Sequence, residues 1–107
     1  MKLIREILYK VEINSVIGNT SLTINKIEFD SRLINEGDMY VAIKGVNVDG
    51  HDFIPQVIQN GANCIICEKT PDQKVDDVVY VNVSSSRKAL AIISSNYYDN
   101  PCLLYTS

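Results

Sequence analysis

The sequence has no apolar run approaching the roughly 20 residues that span a bilayer. Its opening stretch, MKLIREILYK, puts Arg5 and Glu6 where a signal peptide needs uninterrupted apolar residues. No membrane span and no export signal are expected, and the chain reads as cytoplasmic. Positive charge is not in excess: ten Lys and Arg stand against thirteen Asp and Glu, scattered without blocks, for a net charge of −3. That balance argues against a nucleic-acid footprint. Cysteine is scarce and odd in number, at three, which argues against a disulfide framework and for reduced thiols. There is one histidine, His51, so a serine or cysteine nucleophile has no other imidazole to pair with. Internal repeats and Gly/Ser-rich or Pro-rich linkers are also absent.

What the sequence does have is apolar content. With 107 residues, 46% hydrophobic and 21% charged, it suits one globular domain with a single core and not a disordered, collagenous or coiled-coil chain. Leu3, Ile4, Ile7 and Leu8 fall at helical spacing and predict a short amphipathic helix over residues 2–9. Ile13 to Ile17 and Leu22 to Phe29 nearly alternate about Gly18-Asn19, which predicts a strand pair with one face in water. Met39 to Ile43 is nearly continuous apolar sequence, the mark of a strand covered on both faces. A two-glycine loop, Lys44 to Gly50, follows. Phe53, Val57 and Ile58 then predict a helix with Pro55 in its first turn and Asn60-Gly61 at its end. Ala62 to Cys67 and Val78 to Val83 predict two more buried strands. Ser84-Ser85-Ser86 forms the N-cap region of a last helix, Arg87 to Tyr97, with Leu90, Ile93 and Tyr97 on one face. The expected fold is α/β: a single small domain with a mixed β-sheet flanked by helices.

Several residues could carry chemistry. Cys64-Ile65-Ile66-Cys67 has the spacing of a metal knuckle or redox pair, but in a strand residues three apart face opposite ways, and no second cysteine pair exists to complete a site. These are expected to be core thiols, and no metal site is expected. His51, following Asp49-Gly50 at a helix start, fits a capping or substrate-contact role better than that of a general base. Asp30-Ser31-Arg32 follows a strand, where ligands of open α/β sheets bind, and offers a hydroxyl, a guanidinium and backbone N–H groups to phosphate oxygens. It reads equally as a plain turn in which Asp30 and Ser31 cap their own backbone. The Lys44–Gly50 loop has neither a P-loop nor a dinucleotide-binding glycine pattern. Asn47 and the loop backbone could still make the paired donor and acceptor contacts that a uracil or amide edge requires.

Together the segments resemble a known family. Phe29-Asp30-Ser31-Arg32, then Gly37 to Gly45, Asp49-Gly50-His51-Asp52-Phe53-Ile54 and Asn60-Gly61-Ala62 resemble the N-terminal domain of the Mur ligases. Ser86-Arg87-Lys88-Ala89-Leu90-Ala91, with Asn96-Tyr97-Tyr98 and Asn100-Pro101, resembles the branch that adds a diamino acid as the third residue of the peptidoglycan peptide. The match runs over residues 1–101. It implies an ATP-dependent ligase whose N-terminal domain holds the uridine diphosphate end of UDP-N-acetylmuramoyl-L-alanyl-D-glutamate. Carried over by motif, Phe29, Ser31, Val46, Asn47 and Val48 are expected to touch the nucleotide sugar, with Ser31 donating to the diphosphate, while Asp30, Asp49, Gly50 and His51 shape the site, glycine permitting the turn.

The resemblance further implies that ATP phosphorylates the glutamate carboxylate, that an amine attacks the acyl phosphate, and that magnesium assists. The G-T-N-G-K-T-T phosphate motif should begin shortly after residue 101, so this fragment is expected to bind no ATP or magnesium itself and to be inactive alone. Expected partners are the nucleotide-sugar substrate and the missing central and C-terminal domains of the same chain, with no nucleic acid and no membrane, the fragment itself being a monomer. The alternatives are the ligase branch acting at the next step, which shares the Asp-Ser-Arg and Asp-Gly-His motifs, and a free-standing nucleotide-sugar-binding or interaction module. Residues 102–107, Cys-Leu-Leu-Tyr-Thr-Ser, break the family pattern. TGT CTC TTA TAC ACA TCT encodes them and resembles a transposon-end sequencing adapter, so this tail is expected to be non-native.

Overall fold

A computed structural model of the chain describes residues 2–98; the tail reading at 102–107 and the Asn100-Pro101 motif lie outside them. In chain order the elements are β1 (Lys2–Leu3), α1 (Ile4–Ile7), β2 (Ile13–Ile17), β3 (Thr23–Ile24), β4 (Ile27–Glu28), a 3₁₀ turn at Ser31–Leu33, β5 (Met39–Val41), a 3₁₀ turn at Gly50–Phe53, α2 (Ile54–Gln59), β6 (Cys64–Cys67), β7 (Val79–Val83) and α3 (Ser86–Tyr97). The main sheet has the order β2-β7-β6-β5-β4. Neighbours among β4, β5, β6 and β7 run parallel, and β2 closes one edge antiparallel to β7. A second, two-stranded sheet pairs β1 with β3. The mixed sheet flanked by helices expected from the sequence is the fold observed.

The core lies on both faces of the parallel strands, and strand alternation explains how. Met39, Val41, Cys64, Ile66, Val79, Val81 and Val83 face α1 and α3, meeting Ile4, Ile7, Leu8, Ala89 and Ile93. Tyr40, Ile65, Cys67 and Tyr80 face the other way, onto Ile54 and Val57 of α2 and onto Ile34. Each buried Val or Ile of this size contributes about 1.5–3 kcal/mol. Cys64 and Cys67 thus sit in different cores, both as free buried thiols. Burial raises the pKa of each, so neither is poised as a nucleophile or ligand.

The predicted strand pair about Gly18-Asn19 is not formed. Ile24 and Ile27 are both buried in the same core, and a spacing of three cannot hold one face of a single strand. The chain bends between them, where the Asn25 amide donates to the Gly37 carbonyl at 2.8 Å and the Asn25 side chain to the Glu36 carbonyl at 3.0 Å. Its two halves become β3 and β4, in different sheets. Gly18, with φ of +114°, lets the chain pass against β7: a Cβ there would stand 3.0 Å from the Val79 Cα. The N-terminal helix is also shorter than its apolar spacing suggests, because residues 2–3 are taken into β1.

Two turns lock the strand ends together. The Gly37 amide donates to the Gly61 carbonyl at 2.8 Å and the Asn63 amide to the Asp38 carbonyl at 2.9 Å. Buried Asp38 accepts from the Asn35 amide at 2.7 Å and pairs with Lys26 Nζ at 3.1 Å. Gly61 has φ of +106°, and a Cβ there would lie 2.6 Å from the Glu36 backbone Cα. Gly61→Ala is therefore expected to cost more than about 1 kcal/mol of stability, read as a lower urea midpoint, whereas the exposed Gln59→Ala changes it by less than about 0.5 kcal/mol. An unchanged midpoint in Gly61→Ala contradicts this packing.

Candidate functional site

Because β4, β5, β6 and β7 are parallel, their carboxyl ends share one side of the sheet, where open α/β folds bind ligands. The segments leaving those ends are Phe29–Arg32 after β4, the 43–50 loop after β5, Glu68-Lys69 after β6 and the start of α3 after β7. The first, second and last of these, with the helix that follows the 43–50 loop, surround a cleft of about 560 Å³, within the range of small-molecule sites. Phe29, Ser31 and Val48 line it, with Tyr40, Phe53 and Arg87. Phe29 is 61% exposed and Val48 also stands in solvent, so the cleft has an apolar rim that no group among the described residues covers.

Asp30 caps the 3₁₀ turn that presents Ser31. Its carboxylate accepts from the Arg32 amide at 2.9 Å and takes the Arg32 guanidinium in two bonds, at 3.1 Å from Nε and 2.8 Å from Nη2. The Arg32 side chain, then its amide, holds the Asp30 carboxyl well below the ordinary range, at about 2. The turn reading of this motif describes Asp30; Ser31 differs. It is 8% exposed, lines the cleft, and its hydroxyl takes no protein partner among the described residues.

The loop after β5 is closed by a bridge between Lys44 and Asp49 and by the Gly45 amide donating to the Val48 carbonyl at 2.8 Å. Val46 and Asn47 form its exposed tip, and their side chains do not line the cleft. Gly50 anchors the loop. Its amide donates to the Ile43 carbonyl at 2.9 Å, and its carbonyl accepts from the buried Tyr40 hydroxyl at 2.9 Å. Burial, followed by the charges of Asp30 and Asp49, pushes that phenol up to about 12, so it remains a donor. Glycine is needed at 50 for close approach and not for a left-handed turn: a Cβ would meet the Ile43 amide nitrogen at 2.8 Å and carbonyl at 2.9 Å. This corrects the expectation of a conformational role.

His51 turns away from the cleft into a neighbouring one lined by Asp49, Asp52, Lys69 and Asp72. Its Nε2 accepts from the Glu68 amide at 2.9 Å, which leaves the proton on Nδ1, donated to Asp49 Oδ1 at 2.7 Å. The His51 amide donates to the same carboxylate at 2.9 Å, and these two bonds hold the Asp49 carboxyl below its ordinary range. Glu68 Oε2 in turn accepts from the Ser86 amide at 2.8 Å. Both ring nitrogens are occupied in tying the 44–50 loop to the ends of β6 and β7.

With this geometry in view, comparison with known proteins is decisive. The model of the Mur ligase family, catalytic domain, matches residues 23–98. The chain belongs to the Mur ligase family. It is 42% identical over 99 residues to the UDP-N-acetylmuramoyl-L-alanyl-D-glutamate--2,6-diaminopimelate ligase of Cytophaga hutchinsonii, covering 92% of this chain and 20% of that protein. Against the ligase of the same name from Clostridium tetani it is 43% identical over 103 residues, covering 94% and 21%. The chain thus spans about a fifth of the length of these relatives. Among solved structures, MurF of Thermotoga maritima in complex with ADP aligns with TM-score 0.61 and 35% identity over 74% of this chain and 18% of that one. MurF of Acinetobacter baumannii gives TM-score 0.61 and 31% identity over 72% and 16%.

Mur ligases are ATP-dependent, and the described loop glycines do not form the cradle of free amides that a phosphate loop presents. The loop glycine amides are turned inward, Gly45 to Val48 and Gly50 to Ile43, and no group of three or more His, Cys, Asp or Glu among the described residues could hold a metal. Tyr40, Phe53, Gln56 and Arg87 also line the cleft; Tyr40, Phe53 and Arg87 lie within the family motif segments but are not singled out there as site residues, and Gln56 lies outside every motif. The Asp30–Arg32 pairing predicts that the Asp30 carboxyl titrates near pH 2, followed by NMR, and moves up toward the ordinary aspartate range in Arg32→Ala. A carboxyl lowered in the folded state favours folding above its unfolded pKa, and that contribution is withdrawn as pH falls from about 4 to 2. An Asp30 titration indifferent to Arg32 contradicts the pairing.

Proposed function

We propose that residues 1–101 form the nucleotide-sugar-binding domain of a diamino-acid-adding Mur ligase, and that the carboxyl-end cleft receives the UDP moiety of UDP-N-acetylmuramoyl-L-alanyl-D-glutamate. The observation that carries this is the unpartnered Ser31 hydroxyl beside the exposed Phe29 and Val48 in one cleft. Phe29 and Val48 frame the uracil, the Val46-Asn47 tip of the loop meets it from outside the cleft wall with the Asn47 amide edge, and Ser31 donates to the diphosphate. Asp30, Asp49, Gly50 and His51 hold those groups in place.

In this reading the whole enzyme acts in the cytoplasm and makes an amide bond with ATP and magnesium, chemistry carried by regions other than the described residues. Diaminopimelate is the favoured amine, since the relatives at 42% and 43% identity are diaminopimelate ligases by name. The solved MurF structures favour a second reading, a ligase of the MurF type, but at 31–35% identity they carry less weight than those relatives.

In the folded chain, UDP is expected to shift the amide resonances of Ser31 and Asn47. Ser31→Ala should weaken that binding by about 1–2 kcal/mol, roughly five- to thirtyfold. Unmoved resonances at millimolar UDP, in a sample with a folded spectrum, overturn the assignment of the cleft.

A further inference from the structure

Three charged side chains line the cleft: Asp30, Arg32 and Arg87. Two of them cancel. The Arg32 guanidinium is engaged by Asp30 through two bonds, so its charge is compensated before any ligand arrives. Arg87 has no carboxylate partner among the described residues; its contact is with the Lys44 carbonyl, from Nη2 at 3.4 Å. The cleft therefore carries one uncompensated positive charge, on a flexible side chain held by a single long bond to a neutral group.

Its position runs against local helix energetics. Arg87 and Lys88 occupy the first turn of α3, behind the Ser85 cap, and that turn contains no acidic residue. Cations are disfavoured at the positive end of a helix dipole, and a broken local rule tends to mark a functional position. The surroundings also fix where Arg87 starts from. Asp49, His51, Glu68 and the Ser86 amide form a continuous hydrogen-bonded chain that joins the 44–50 loop to the residue immediately before Arg87.

We propose that Arg87 is a substrate-binding residue that supplies the charge holding the diphosphate, its planar fork donating to phosphate oxygens across from the Ser31 hydroxyl. This rests on the nucleotide reading of the cleft above. Specificity follows from it: the site distinguishes a nucleoside diphosphate from a nucleoside through Arg87, while the apolar rim and the loop distinguish the base.

The test is a titration of the full chain and of Arg87→Gln and Arg87→Lys with uridine, UMP and UDP, each protein being checked for the same cooperative thermal unfolding. Arg87→Gln is expected to lose about tenfold in UDP affinity and to leave uridine unchanged. Arg87→Lys should recover part of the loss, and added salt should weaken UDP binding more in the parent than in Arg87→Gln. Parent-like UDP binding by Arg87→Gln overturns the role of Arg87 while leaving the cleft assignment standing. Equal losses for uridine and UDP overturn it too, since they make Arg87 a support of the loop through Lys44. If the parent itself binds uridine and UDP alike, no diphosphate subsite exists and this inference falls with it.

Discussion

Everything in this domain depends on β6 being dry on both faces. Cys64, Ile65, Ile66 and Cys67 are all fully buried, two toward α1 and α3 and two toward α2. Such double cover goes with parallel pairing, whose crossover connections place helices on both faces, and β4, β5, β6 and β7 run parallel. Parallel strands discharge their carboxyl ends at one edge. The cleft is the consequence: the segments that must turn back from that edge surround a space that none of them fills.

The turns around that edge are held by specific bonds. Gly37, Asp38, Gly61 and Asn63 lock the amino ends of β5 and β6. At the opposite edge Tyr40, Gly50, Asp49, His51 and Glu68 bind the loop after β5 to the ends of β6 and β7. His51 illustrates how such a network decides a role. A histidine with an acceptor on one side and an amide donor on the other has its tautomer fixed and no nitrogen to spare for a substrate. Among the described residues that line the cleft, the Ser31 hydroxyl, the Gln56 amide and the Arg87 guanidinium are the polar side chains that neither this network nor the Asp30–Arg32 pair takes up.

Much of this was legible in the sequence, for reasons that differ by segment. The run Met39 to Ile43 read as a doubly covered strand because five apolar residues bounded by turns are too short for a buried helix and too continuous for a half-exposed strand. Ser84-Ser85-Ser86 marked the start of α3 through the chemistry of its cap. The cysteine pair read as structural because strand alternation alone separates residues 64 and 67. The false hairpin came from trusting alternation through Leu22 to Phe29: the buried Ile24 and Ile27, three apart, signalled a break, and only the distant Gly37 and Glu36 carbonyls that receive Asn25 show where the chain bends. Gly50 was legible as a required glycine but not for its reason, which is the Ile43 backbone lying against it. The Phe29-Asp30-Ser31-Arg32 motif located one wall of the cleft. Tyr40, Phe53, Gln56 and Arg87 were not read as cleft residues, although three of them sit in motif segments, because contact with the cleft arises only when β5, the turn and helix that follow it and the start of α3 are brought together, and no spacing along the chain encodes it.

The central claim is that the carboxyl-end cleft is where a nucleoside diphosphate binds. A crystal structure of the chain with UDP tests it most directly. The account predicts uracil against Phe29 and the 46–48 loop, with diphosphate oxygens within hydrogen-bond reach of Ser31 Oγ and the Arg87 guanidinium. Nucleotide density in the neighbouring cleft beside His51 and Asp72, or a diphosphate directed into solvent with Ser31 and Arg87 untouched, would contradict it.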